Sequence, residues 1–314
     1  LKQDILAACA ACLREGITEV HDMDVAPYWL EPMRELAESG QLPIRLQCFV
    51  RAQQNEWHEA GLLPMGGEFL RICGIKMYAD GALGSHGALL LSPYADRPST
   101  SGICLLSVTE MVSRARRALD AGWWSISVHA IGDAAVRNVL DAFEEVRSWT
   151  DGRDVLLRIE HAQHVHPDDV LRFSELNVVA CVQPTHCMSD ATMAERRLGQ
   201  ERLAWSYRWK SLLDAGVTIG AGSDFPIEPP SPLAGIDAFV RRVPTGHADT
   251  WQPQERISRW AAVDAFTRAA HFSAEMDFRR GQLVPGMDAD MVVLDRDILE
   301  CTDDEILSHR RCTR

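Results

Sequence analysis

Residues 155–182 read Val-Leu-Leu-Arg-Ile-Glu-His-Ala-Gln-His-Val-His-Pro-Asp-Asp-Val-Leu-Arg-Phe-Ser-Glu-Leu-Asn-Val-Val-Ala-Cys-Val. An apolar run over Val155–Ile159 is followed by a helix that opens on Pro167, with Asp168 and Asp169 in its first turn, and then by a second apolar run over Val178–Val182. Proline suits the first helical position, where its missing N–H is not needed, and acidic side chains suit the positive end of the helix dipole. Two near-continuous apolar runs joined through a helix rather than a tight turn describe parallel strands buried on both faces.

The same alternation extends outward. Ile17–Val20, Ile44–Val50, Phe69–Tyr78 and Ser125–Val128 precede the quoted stretch and Val217–Ala221 follows it, which makes seven predicted strands. Helices are expected over residues 3–15, up to Glu38, from Ser107, up to Trp149, over Trp209–Ala215 and Pro232–Arg241, and around 257–270. Ser107 with Glu110 three residues on is a capping-box pattern. Strands alternating with helices in this way predict an α/β fold, a TIM-like (β/α) barrel. Such a barrel closes with eight strands. Because the chain opens on a helix and on Leu1 rather than Met, the expectation is a barrel lacking its first strand, in a chain that begins inside its gene product. Residues 1–278 are assigned to this domain. In 279–314, Gly281 to Asp295 reads as turn, turn, strand, a β segment of a small sandwich. Asp80–Gly102 and Cys187–Arg208 read as long loops over a strand end, where a site is often covered.

The charge balance of 32 Lys and Arg against 45 Asp and Glu, with no basic run beyond Arg310-Arg311, argues against a nucleic-acid partner. Apolar stretches such as Gly87–Leu91 fall far short of the roughly 18 residues of a membrane span, so no membrane partner is expected. Nine scattered cysteines read as reduced thiols in a cytoplasmic protein, and the Cys9-x-x-Cys12 pair as helix packing.

In a (β/α) barrel the carboxyl ends of the strands converge on one mouth. His129 follows the Ser125–Val128 run, His161 the Val155–Ile159 run and Asp224 the Val217–Ala221 run, while Lys76 lies inside Gly74-Ile-Lys-Met-Tyr78. Imidazole and carboxylate from separate strands suit a divalent metal such as zinc, bound as one or two ions. Lys76 has three readings: an ion-pairing side chain, a lysine carbamylated into a metal bridge, or a Schiff-base nucleophile in a lyase.

Seven segments together resemble a known family. They are Gly16-Ile-Thr-Glu-Val-His-Asp22, Ile75-Lys-Met-Tyr-Ala-Asp-Gly-Ala-Leu-Gly-Ser85, His129-Ala-Ile-Gly-Asp133, Arg158-Ile-Glu-His-Ala-Gln163, Val182-Gln-Pro-Thr-His186, Gly222-Ser-Asp-Phe-Pro226 and Leu283-Val-Pro-Gly-Met-Asp-Ala-Asp-Met-Val-Val-Leu-Asp295. The chain resembles the amidohydrolase superfamily, in particular its family-3 branch, which includes N-substituted formamide deformylases. The resemblance implies a metal-dependent hydrolase of amide C–N bonds other than peptide bonds. It implies Lys76, His129, His161 and Asp224 as metal ligands, His186 as a substrate-orienting residue, and Asp80 and Asp133 as hydrogen-bonding supports.

By the same resemblance, a metal would lower the pKa of bound water toward ~7 and polarise the substrate carbonyl. Asp224 would take the proton from the water and pass it to the leaving amine. The His-x-His pair that ends the first strand in the family has no counterpart upstream of Leu1. His164-Val-His166 has the spacing but reads as loop, and a non-catalytic fragment is therefore the rival expectation. The expected partner is a small-molecule amide, with a homodimer as a candidate assembly.

Overall fold

The structure, a computed structural model, describes residues 1–54, 56–150 and 154–308. Its framework is seven parallel strands: β1 (Glu19–Val25), β2 (Arg45–Arg51), β3 (Leu70–Tyr78), β4 (Ser125–Ala130), β5 (Leu156–His161), β6 (Val178–Val182) and β7 (Ile219–Ala221). They lie side by side in chain order. Every pairing is parallel, as the alternation of strand and helix requires.

The sheet is curled into an open, half-barrel wall. Arg158 on β5 reaches across the concave side to the His21 ring on β1 at 3.3 Å and stacks 4.4 Å from the Phe49 ring centroid on β2. Only strong curvature lets strands this far apart in the sheet share one interior.

The helices are α1 (Lys2–Arg14), α2 (Pro27–Glu38), α3 (Glu56–Glu59), α4 (Val108–Asp120), α5 (Asp133–Trp149), α6 (Val170–Glu175), α7 (Pro184–Leu198), α8 (Gln200–Leu203), α9 (Trp209–Asp214), α10 (Pro232–Arg241), α11 (Arg259–Phe266) and α12 (Arg268–Phe272). The Ser107–Glu110 capping box forms at the start of α4. Strand residues such as Val50, Ile75, Ile126, Val128, Leu157 and Ile159 share one buried cluster with Met111, Val136, Val139, Leu140 and Phe143 of the outer helices. Cys9 and Cys12 sit in that cluster as free thiols. No helix of the described residues is long and apolar enough to cross a membrane.

Three stretches differ from the sequence reading. Cys187–Arg208 is not a loop: most of it lies in α7 and α8. Pro184 occupies the start of α7, and Cys187, Ala191, Ala194 and Leu198 form its buried stripe at helical spacing. Small and polar residues between them obscure that stripe in the sequence. Among the described residues no strand is seen within Gly281–Asp295: residues 279–308 contain turns, a single β-bridge position at Leu294 and one short 3₁₀ helix. Met291, Val292 and Val293 stand 63%, 48% and 61% exposed, and a β run pairs with none of the seven strands of the sheet here. The first predicted strand, Ile17–Val20, forms as Glu19–Val25, so His21 and Asp22, read as ending it, lie in its interior. Arg310 and Arg311 fall outside the described residues.

Candidate metal centre

The register of the sheet sets the site. Lys76 on β3 pairs with Ser127 on β4, Tyr78 with His129, and Ala130 on β4 with His161 on β5. Paired residues on neighbouring strands share a face, so these side chains are delivered in rows to the carboxyl end of the sheet. His161 (φ 76°) and Ala162 (φ 41°) both adopt left-handed backbone, which ends the strand and breaks its alternation at the imidazole. Asp224 is also left-handed (φ 57°), and its carbonyl accepts from Ile227 N at 2.8 Å. It caps no helix, since the residue preceding α10 is Ser231. His186 stands in the first turn of α7.

These elements bring His161, His186 and Asp224 together, with one ligand atom from each lying within 4.8 Å of the others. The His129 and His161 rings meet edge to face at 4.5 Å, and the His161 and His186 rings lie nearly parallel at 6.0 Å. Lys76 Nζ sits 4.5 Å over the ring of Tyr78, which in turn lies 5.2 Å from the His129 ring.

His129 Nε2, His161 Nδ1 and His186 Nε2 are buried without a hydrogen-bond partner. Buried polar atoms are normally satisfied, because leaving one bare carries its full desolvation cost. Three bare imidazole nitrogens next to a carboxylate form a donor set that fits a divalent cation. Asp80 Oδ1 approaches His129 Nε2 to 3.4 Å without hydrogen-bond geometry.

Electrostatics agree with that fit. Burial, reinforced by the Lys76 charge, pushes His129 down to about 3, and burial with the charges of His129 and Lys76 takes His161 well below the ordinary histidine range. Both rings are therefore neutral, the form that ligates metal. Burial lowers the Lys76 amine, against the pull of Glu160 and Asp224, and burial raises the Asp224 carboxyl, against His186 and Lys76.

Glu160 has no role in the sequence reading, yet it is buried beside this group. Burial alone would raise it, but Arg158 at 2.9 Å, Lys76 and the Ser127 hydroxyl at 2.7 Å hold it below the usual carboxylate value. Its place directly before His161 is the one signal the sequence offered.

Asp80 accepts backbone N–H groups from Leu89, Ile131 and Gly132, tying the 80–102 loop to the end of β4. Asp133 accepts from Leu91 N of the same loop and from Ala134 N of its own helix. His164 bonds Ser206 Oγ, and His166 accepts from Asp168 N at the 3₁₀ turn, so neither joins the cluster. Tyr207 is buried between Trp209 and Trp251 and donates its hydroxyl to Asp190.

A family model described as the amidohydrolase family matches residues 1–313. The chain is 39% identical to Protein LONG AFTER FAR-RED 3 of Arabidopsis thaliana over 72% of its length, covering 39% of that protein. It is 30% identical to the putative amidohydrolase YtcJ of Bacillus subtilis over 93% of its length, covering 56% of that protein. To the N-substituted formamide deformylase of Arthrobacter pascens it is 28% identical over 65%, covering 38%. The crystal structure of an uncharacterized metal-dependent hydrolase from Pyrococcus furiosus superposes with a TM-score of 0.85 at 35% identity, over 95% of this chain and 60% of that one. The chain thus spans 39% and 56% of the first two of these relatives.

Proposed function

The chain belongs to the amidohydrolase family, and from that premise we propose that it carries the catalytic barrel wall of a metal-dependent hydrolase. Its substrate would be an amide C–N bond other than a peptide bond, in an N-acyl or N-formyl amine. The observation that carries this reading is the convergence of His161, His186 and Asp224, one ligand atom of each within 4.8 Å of the others, with buried imidazole nitrogens that have no hydrogen-bond partner. The relationship to an N-substituted formamide deformylase supports the bond type, and the likeness to a metal-dependent hydrolase supports the cofactor.

His129, His161, His186 and Asp224 would hold the ion, which we take to be zinc. Lys76 would join them after its neutral amine adds to carbon dioxide and loses a proton, becoming an anionic carbamate. Bound there, the ion supplies Lewis-acid polarisation of the carbonyl and acidification of water. Asp224 accepts the proton of the attacking water on a carboxylate oxygen and returns it to the leaving nitrogen. Glu160, fixed by Arg158 and Ser127, lies near enough for its charge to oppose the effect of burial on the unmodified Lys76 amine. The 80–102 loop, pinned by Asp80 and Asp133, limits water at the mouth. Eight free thiols among the described residues fit a cytoplasmic setting.

The test is metal analysis of the purified protein together with turnover of a panel of N-formyl and N-acyl amines. Stoichiometric metal and hydrolysis abolished by a chelator are the expected results. A protein that binds no divalent metal, or an activity indifferent to chelation, overturns the proposal.

A further inference from the structure

Beside the imidazole cluster, at the carboxyl ends of β1, β2 and β3, lies a cavity of about 300 Å³ lined by Asp24, Arg51, Gln53, Gln54 and Tyr78. Arg51 pairs in register with Lys76, so both side chains leave the sheet on the same face. The Tyr78 ring forms the wall between this cavity and the cluster, since it lies 4.5 Å from Lys76 Nζ and 5.2 Å from the His129 ring.

Arg51 is held in place from one side only. Its Nε and Nη2 both donate to Asp24 Oδ2, at 3.0 and 2.7 Å. Asp24 itself occupies an irregularity in the β1–β2 register with φ 70°, an uncommon backbone state for a residue other than glycine. Such bulges re-aim a side chain, and their strain persists where the surroundings fix it.

The cavity floor is fixed as well. Gln53 exchanges hydrogen bonds with the backbone N–H and carbonyl of Tyr78, and Arg114 donates to the carbonyls of Ala52 and Gln53. What remains is one edge of a planar guanidinium: Nη1 has no partner among the described residues, and the second Nη2 hydrogen is also unused. The side chain is 45% exposed. Arg51 engages only Oδ2 of Asp24, whose Oδ1 is buried without a hydrogen-bond partner.

We propose that Arg51, buttressed by Asp24, determines specificity by receiving a carboxylate carried on the amine side of the amide substrate, a proposal that rests on the hydrolase reading above. A guanidinium edge with donors on both terminal nitrogens matches a planar carboxylate in two parallel hydrogen bonds. The substrate class is then an N-acylated ω-amino acid, long enough for its carboxylate to pass the Tyr78 ring while its carbonyl reaches the imidazoles.

The experiment compares N-acetyl-4-aminobutyrate with N-butylacetamide, the same amide without the carboxylate, in the wild-type protein and in Arg51→Gln and Arg51→Lys. The wild type is expected to favour the acid, and Arg51→Gln to lower the ratio of kcat/KM values about tenfold to a hundredfold, mainly through KM for the acid. Arg51→Lys, which keeps the charge but loses the fork, is expected to fall between. An unchanged ratio overturns the proposal.

If neither amide is hydrolysed, the failure belongs to the hydrolase reading, and the subsite is judged by pentanoate binding to the metal-free protein, followed by NMR line broadening. Broadening in the wild type that is lost in Arg51→Gln supports it. Equal broadening in both proteins, or none in the wild type, overturns it.

Discussion

Arg280, whose side chain has no exposed surface, donates through Nη1 to Oε2 of Glu19 across 3.0 Å, joining the first strand to a segment 261 residues later. The same guanidinium reaches Glu68 at 3.0 Å and Asp288 at 2.8 Å. Arg45 at the start of β2 extends the network to Asp290 at 2.6 Å. Residues 279–290 are therefore bound to the sheet by charge rather than by a strand ladder.

Removing one partner of a buried ion pair strands the other charge in a poorly solvated place, which costs about 3–5 kcal/mol. Arg280→Met is expected to lower the unfolding free energy by that order in urea titrations, whereas Arg296→Met, at an exposed pair with Glu305, is expected to change it by less than about 1 kcal/mol. A similar small loss for both variants would show that the Arg280 network contributes no more than a surface pair.

Glu19 gives this network a pH dependence. Burial raises its carboxyl, but the His271 hydrogen bond and the charges of His21, His271 and Arg280 outweigh burial and hold it at about 2, below the ordinary value of 4.5. Its folded pKa is depressed, so the stability it contributes is present above the unfolded value and is lost as pH falls from about 4.5 toward 2. Glu19→Gln is expected to be less stable at pH 6 and to show a shallower loss than wild type across that window, as read from denaturant midpoints at each pH.

Gly132 donates to Asp80 at 2.8 Å, and a Cβ placed on it would lie 1.9 Å from the carbonyl oxygen of Leu89. The obstruction is backbone, which a rotamer change cannot relieve. Gly132→Ala is expected to cost about 1–3 kcal/mol and to speed amide hydrogen exchange in the 80–102 loop, because that loop must move off the end of β4. Unchanged protection of Leu89 and Leu91 would refute the close approach.

At the cluster, His161→Ala and His186→Ala are each expected to weaken zinc binding by at least about tenfold, measured by competition with a chromophoric chelator. Asp224→Asn keeps a donor oxygen but loses the proton acceptor. Its kcat is expected to fall by about 10² to 10⁴ while metal is retained. Loss of metal without a separate loss of turnover per bound ion would assign Asp224 to ligation alone.

The strand order and the positions of His129, His161 and Asp224 at strand ends were legible because burial on both faces leaves continuous apolar runs, and the residue closing each run is identified by its polarity. The (β/α) repeat followed from the same local periodicity. The α7 helix was obscured because its buried stripe consists of Cys187, Ala191, Ala194 and Leu198, residues too small or too widely spaced to announce an amphipathic face. The strand expected within Gly281–Asp295 has alternation but no ladder in the sheet, and alternation alone does not make a strand.

The chain by itself therefore determined the family, the seven parallel strands and the residues delivered to the mouth of the sheet, since each depends on neighbours within a few positions. Tertiary structure alone decided that His186 faces His161 and Asp224, that Asp24 holds Arg51, and that Arg280 closes on Glu19. These pairings depend on sheet curvature and on left-handed backbone at Asp24, His161 and Asp224. Side-chain direction at such points is set by the packing of distant segments, which no local pattern records.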